Sequence, residues 1–316
     1  MKTINDLLSD IHSLGIKLWV EDGRLRYNAP KDRMTSTLRA EIGERKAEIL
    51  AFLQQDNITR PKLIQTVSHD IDLPLSFAQQ RLWFLEQLEG PSAAYNMPAA
   101  LRLAGKLNIV ALNAAVQEVV NRHEVLRTNF VVKNDVAVQV IAPSLNIPLP
   151  VVDLQLLPAQ KQSPVVKELA QEEFLRPFDI AVEPLLRVRL LQLSENEYVL
   201  LLVIHHIISD GWSMGVLIQE LTYLYDAFSK GLPSPLPELP IQYADYSVWQ
   251  RNWLRGEVLE GQLEYWRQQL AGAPDVLELP TDRVRPAVQS FRGATTCFKL
   301  SEEVSAGLQR LSREQG

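Results

Sequence analysis

The chain has 316 residues, 46% hydrophobic and 22% charged, a balance that suits a globular protein and excludes a disordered one. Its 38 acidic and 32 basic side chains leave a net charge of −6, which argues against a general nucleic-acid binder, since that role needs a basic surface to displace counterions. A single cysteine, Cys297, excludes an internal disulfide framework and a cysteine-cluster metal site. The opening Met1-Lys2-Thr3-Ile4-Asn5-Asp6 turns acidic too early for a signal peptide, and the longest apolar run, Tyr198 to Ile204, is far too short to cross a bilayer. A soluble, cytoplasmic chain of about two domains is expected.

In chain order, Ile4, Leu7, Leu8, Ile11 and Leu14 recur at helical spacing, and Gly15 ends that helix. Strands over 16–21 and 24–28 follow, joined by Asp22-Gly23, a pair able to take positive φ at both positions of a tight turn. A second helix is expected over 35–54 on Leu38, Ile42, Ile49, Leu50 and Leu53. The order helix, hairpin, helix marks residues 1–56 as a small domain. Residues 57–72 are polar and aperiodic and read as a linker.

From Leu73 onward helices and strands alternate. Helices are expected over 112–121, 165–174 and 212–230, and strands over 136–141, 186–193 and 198–204. The last two strands are so rich in apolar residues that both of their faces must be buried. Gly231 and Pro233 close the helix that follows them, and a final helix starts near Ser301.

The sharpest cluster of reactive side chains is His205-His206-Ile207-Ile208-Ser209-Asp210-Gly211, between a buried strand and a helix. Neighbours on a strand point to opposite faces, so one histidine can face a cavity while the other packs inward. That geometry, with no third ligand nearby, argues against zinc. An imidazole near neutrality can take a proton from an attacking amine or alcohol, and the N–H groups near Gly211 and Trp212 could stabilise an oxyanion. The alternative is a pair of buried, hydrogen-bonded structural histidines, with Asp210 as a helix N-cap.

This run resembles the core motif of condensation domains of nonribosomal peptide synthetases. Three other stretches match that family in the family's order: residues 75–85 from Leu75-Ser76-Phe77, residues 122–130 from Arg122-His123-Glu124 to Phe130, and residues 243–249 from Tyr243-Ala244-Asp245 to Trp249. The resemblance implies that His206 faces the active-site tunnel, as general base or as a group that positions the amine. It implies that Gly211 leaves room for the thioester and offers its N–H. His205 would then be structural, and Asp210 would pair with Arg127 to hold the loop. Ser76, Gln79, Arg81, Trp83, His123, Tyr243, Asp245, Tyr246 and Trp249 are read mainly as packing. Residues 88–98, with Arg127-Thr128, look most like domains joining two L-residues; epimerisation domains remain an alternative, whereas His205-His206 argues against heterocyclisation domains.

Residues 1–55 resemble the TubC-like N-terminal docking domain of such synthetases. A two-stranded hairpin can accept an extended peptide at its open edge, and Lys17, Arg24 and Arg26 would select an acidic C-terminal tail of an upstream subunit. Trp19 and Leu25 are docking contacts or ordinary core.

Together the resemblances imply a small αββα docking domain (1–56), a linker (57–72) and a chloramphenicol-acetyltransferase-like α/β sandwich lobe (73–287). Residues 288–316 would open a second lobe whose later motifs lie beyond residue 316. The expected partners are the upstream subunit and donor and acceptor carrier proteins, whose phosphopantetheine arms bring the substrates; no directly bound cofactor, nucleic acid or membrane is expected. Residues 1–316 are expected to dock but not to condense. A stand-alone acyltransferase using coenzyme A and a non-catalytic interaction module are the rival readings.

Overall fold

The computed structural model describes residues 4, 7, 11, 15–21, 24–30, 33–50, 63–274, 276–284, 286, 293–294, 296 and 298–315. They divide into a unit within residues 1–271 and another within residues 272–316. In the first, β1 (Lys17–Glu21) pairs antiparallel with β2 (Arg24–Asn28), Lys17 opposite Asn28. The Asp22-Gly23 turn lies outside the described residues. Helix α1 (Ser36–Glu44) starts at Thr35, whose hydroxyl accepts the Leu38 N–H at 3.2 Å. The expected continuous helix is interrupted at Arg45 and resumes over 46–50; residues 51–54 lie outside the described ones. Leu7, Ile11, Ile16 and Ile49 form the core of this part, with Leu18, Leu25 and Leu38 packed on it.

The larger part is built on two sheets. A short sheet has the order β3 (Leu73–Pro74), β6 (Val136–Ile141), β5 (Thr128–Lys133). The other has the order β4 (Asn96–Ala104), β9 (Glu197–His205), β8 (Leu186–Ser194), β7 (Val151–Asp153), antiparallel except for β7 against β8. Strand β9 is buried from Tyr198 to His205 because both faces of the sheet are covered. Leu200, Leu202 and Ile204 join Leu186, Val188 and Leu190 in one core, with helices α3 (Ile109–Arg122) and α5 (Gly211–Ser229). Val199 and Leu201 join Leu191 and Leu193 in another, against Val165, Val166 and Leu169 of α4 (Ala159–Leu175). The period-two alternation of a strand, apolar at every position, produces this two-sided burial.

Helix α2 (Phe77–Glu89) packs against α6 (Tyr243–Trp253), which is followed by α7 (Glu257–Gln269). Residues 63–72, expected as linker, are held in place: buried Asp245 of α6 accepts the Val67 N–H at 2.8 Å, and Lys133 Nζ lies 3.2 Å from Asp72 Oδ1. The unit over 272–316 contains helix α8 (Glu302–Gln315); the first residues of the expected second-lobe opening, 288–292, lie outside the described residues.

Candidate active site

Strand β9 ends at His205, which stands opposite Asn96 of β4. The chain then turns sharply: His206 N–H donates to the Tyr95 carbonyl at 2.8 Å, and Ile208 N–H to the His205 carbonyl at 3.1 Å. His205 is 1% exposed, with its ring near those of Phe178 (centroids 6.0 Å, T-shaped) and Tyr95 (6.3 Å, tilted). Its Nδ1 accepts the Ile207 N–H at 3.1 Å. The ring proton must then sit on Nε2, 3.5 Å from the Glu86 carboxylate. Burial, with the neighbouring His206 adding to it, pushes the His205 pKa down to about 4. Burial likewise raises the Glu86 carboxyl, although an N–H from Ile180 pulls the other way. Both members of this close pair are thus driven toward their neutral forms.

His206 has the opposite arrangement. Its Nδ1 lies 2.6 Å from the Ser209 carbonyl oxygen, which can only accept, so Nδ1 carries the proton. The neutral ring therefore keeps a bare lone pair on Nε2. His206 lines a cavity of about 580 Å³ whose wall also includes Gln79, Leu82, His123, Leu126, Asp210, Trp212 and Tyr243.

Asp210 is the N-cap of α5 and accepts both the Ser213 hydroxyl at 2.6 Å and the Ser213 N–H at 2.8 Å. Those bonds, the hydroxyl first, hold its carboxyl below the usual range. The expected Asp210–Arg127 ion pair does not form. Arg127 Nη1 donates instead to the Ala142 carbonyl, and Nη2 lies 3.4 Å from Glu124 Oε1 of its own short 3-10 turn. The cause is local: Ser213 sits one helical turn from Asp210 and satisfies it, and Glu124 sits three residues from Arg127. Gly211 is the first residue of α5, and a Cβ there would meet no protein atom within 4 Å. Its surroundings are open space, available to a ligand.

Sequence patterning missed several supporting contacts. Glu86 is one helical turn past Leu82 on α2, and nothing in its local pattern marks it as the neighbour of His205. Arg187 donates to Glu173 Oε1 at 2.7 Å and to the Arg176 carbonyl at 2.7 Å, and its guanidinium lies 3.7 Å over the Phe178 ring that borders His205. His123 meets Glu220 Oε2 at 2.6 Å, and the same carboxylate accepts from Arg122 at 3.1 Å. Of the docking candidates, Leu25 packs into its own unit's core and is spent there rather than offered to a partner, while Arg26 is exposed. The side chains of Lys17, Trp19 and Arg24 lie outside the described residues.

Among the described residues no group of three or more His, Cys, Asp or Glu side chains could hold a metal ion, and no helix is long and apolar enough to cross a membrane.

A model of the condensation domain matches residues 70–316, and a model of the TubC N-terminal docking domain matches residues 4–55. The chain belongs to the condensation-domain family and carries a TubC-type docking unit ahead of it. One of the linear gramicidin synthase subunits of Brevibacillus parabrevis is 48% identical over 250 residues, 79% of this chain and 5% of that protein. Malpinin synthetase of Mortierella alpina is 47% identical over 253 residues, 80% of this chain and 3% of that protein. Among solved structures, the cyclization–docking bidomain of the synthetase EpoB from Sorangium cellulosum matches with a TM-score of 0.67 at 25% identity, over 91% of this chain and 56% of that one. The X-domain from teicoplanin biosynthesis matches with a TM-score of 0.64 at 32% identity, over 73% of this chain and 50% of that one. The mixed α/β architecture is thus the one these domains share, and the chain spans a small fraction of the curated relatives it matches.

The state of His205 has a measurable consequence. Its folded pKa, about 4, lies below the unfolded value near 6.5, so as the pH falls between these values the unfolded chain takes up a proton that the folded chain refuses. The associated stability is complete above pH 6.5, and about 3 kcal/mol of it is lost by pH 4. Chemical denaturation at pH 7 and pH 4.5 is expected to show a larger loss for the parent than for His205→Gln. Equal losses would contradict the assignment.

Proposed function

We propose that this chain supplies the docking unit and the histidine-bearing lobe of a condensation domain that forms amide bonds between carrier-bound acyl groups in a cytoplasmic nonribosomal peptide synthetase. The observation that carries the reading is the bare Nε2 of His206 in the wall of a cavity, held there by the Nδ1–H bond to Ser209. The substrates arrive as thioesters on the phosphopantetheine arms of two carrier proteins. The acceptor amine attacks the donor thioester carbonyl, forming the C–N bond, and His206 Nε2 takes the proton that the nitrogen must lose. Collapse of the tetrahedral intermediate breaks the C–S bond, and the departing thiolate receives that proton.

Gly211 contributes by what it lacks: with no Cβ, the first turn of α5 can be approached closely by the acyl group, to which its N–H would be offered. His205, Asp210 and Arg127 are positioning residues. His205 holds the turn through Ile207, Asp210 caps α5, and Arg127 ties its 3-10 turn to Ala142. The segment from Leu88 to Pro98, with Arg127-Thr128, favours the joining of two L-residues.

The β1–β2 hairpin is the site where an upstream subunit docks. Among the described residues the sheet has two strands, so each strand has an edge whose backbone groups can pair with an extended tail. Lys17, Arg24 and Arg26 give that hairpin a basic character suited to an acidic tail.

In the synthetase subunit that carries this chain, His206→Ala is expected to lower condensation between loaded donor and acceptor carriers by about 10²- to 10⁴-fold. Undiminished turnover would remove His206 from the chemistry. Titrating the chain with an acidic tail peptide is expected to shift the backbone amide resonances of residues 17–28, more at low salt than at high. An absence of shifts there at any ionic strength would refute the docking assignment.

A further inference from the structure

Among the described residues, one fully buried side-chain polar atom of the cavity wall has no hydrogen-bond partner. Gln79 is 1% exposed, and its Oε1 accepts the Ser76 N–H at 3.0 Å, completing a capping box at the start of α2. That bond fixes which end of the amide is committed. The other end, Nε2, is buried and meets no acceptor among the described residues. Polar neighbours in the wall are engaged: His123 with Glu220, Asp210 with Ser213, Tyr243 with Ser76 Oγ at 3.0 Å, and the Gln242 amide with Arg122 and Glu124 at its two ends. Other buried side-chain atoms without partners occur on Asn96, Glu124 and Arg127, and none of those residues lines the cavity.

A buried donor without an acceptor is costly to a fold and points to a group that arrives later. The surrounding wall is largely aliphatic, with Leu82, Leu126, Ile204 and Leu217, so a few polar groups must orient whatever binds. The donor is a neutral amide, and the wall's charged side chains, Arg81 and Asp210, are of opposite sign, so the complementary ligand group is an uncharged acceptor. We infer that Gln79 Nε2 donates a hydrogen bond to an uncharged carbonyl oxygen of the acyl chain in the cavity, making Gln79 a substrate-binding residue. This rests on the condensation reading above. With the lone pair of His206, the cavity then offers one donor for a carbonyl and one acceptor for an amine.

The carbonyl could belong to the acceptor or to the donor substrate, and calorimetry on the 316-residue chain separates them. The probes are an aminoacyl pantetheine amide, as acceptor mimic, and its N-acylated counterpart, as donor mimic. Each is compared with an analogue in which a methylene replaces the aminoacyl carbonyl. For the substrate that Gln79 reads, the parent is expected to bind the methylene analogue about five- to tenfold more weakly, and Gln79→Met to abolish that difference. The same difference in parent and variant, or none in the parent for either probe, would overturn the inference. A measurement without substitution guards against misfolding of the variant: the Gln79 side-chain amide resonances should shift when the recognised probe is added, and unmoved resonances at saturation count against it. Turnover of His206→Ala in the full synthetase is the separate control. If that variant stays active, the condensation reading fails whatever Gln79 binds; if it is inactive and Gln79 is insensitive to both carbonyls, only the present inference fails.

Discussion

An imidazole can accept a hydrogen bond at a ring nitrogen only while it is neutral, and burial keeps His205 in that state. Its Nδ1 receives the Ile207 N–H, the Tyr95 carbonyl takes the His206 N–H, and the Ser209 carbonyl takes the proton of His206 Nδ1. These bonds define one five-residue turn between β9 and α5. The two adjacent histidines consequently occupy opposite tautomers: His205 is protonated at Nε2, facing Glu86, and His206 at Nδ1, leaving Nε2 bare. A charged His205 could not accept from Ile207, so the low pKa of the buried ring and the geometry of the reactive one are linked.

The frame behind this turn is polar as well as apolar. Arg251 of α6 donates to the Leu75 carbonyl at 2.7 Å and to Gln80 at 2.6 Å while lying over the Phe77 ring, and Gln250 accepts the Phe77 N–H at 2.9 Å. The start of α2 is therefore fastened to α6, although about 170 residues separate them. Tyr246, Trp249 and Trp253 add a run of ring contacts at 5.2 to 5.6 Å along α6. Asp245 reaches from the same helix to Val67, so the segment after the docking unit joins the frame, and Ile64 from it lines the cavity. Motifs that read separately as packing form one support for the cavity wall.

Much of this architecture was legible because it is written locally. The apolar runs over 186–193 and 198–204 announce strands buried on both faces, and Asp210 followed by Ser213 carries the chemistry of a helix cap. The hairpin over 17–28 follows from its short strands and their turn. What was not legible depends on contacts between distant positions. Glu86 carries no mark of His205, which is 119 residues away along the chain. The family resemblance suggests an Asp210–Arg127 pair, but each partner finds a nearer group three residues from itself. The polar, aperiodic stretch over 63–72 resembles a linker because its anchors, Asp245 and Lys133, lie elsewhere in the chain. Strand β4, with Pro98 as its third residue, has weak strand character of its own and is held by its nine-residue register with β9.

The central claim is the opposite protonation of two neighbouring rings, and nitrogen-15 NMR of the histidine side chains at pH 7 tests it most directly. The account predicts that the neutral His206 ring carries its proton on Nδ1 and leaves Nε2 bare, and that the neutral His205 ring does the reverse. A neutral His206 protonated on Nε2, or a neutral His205 protonated on Nδ1, would contradict it.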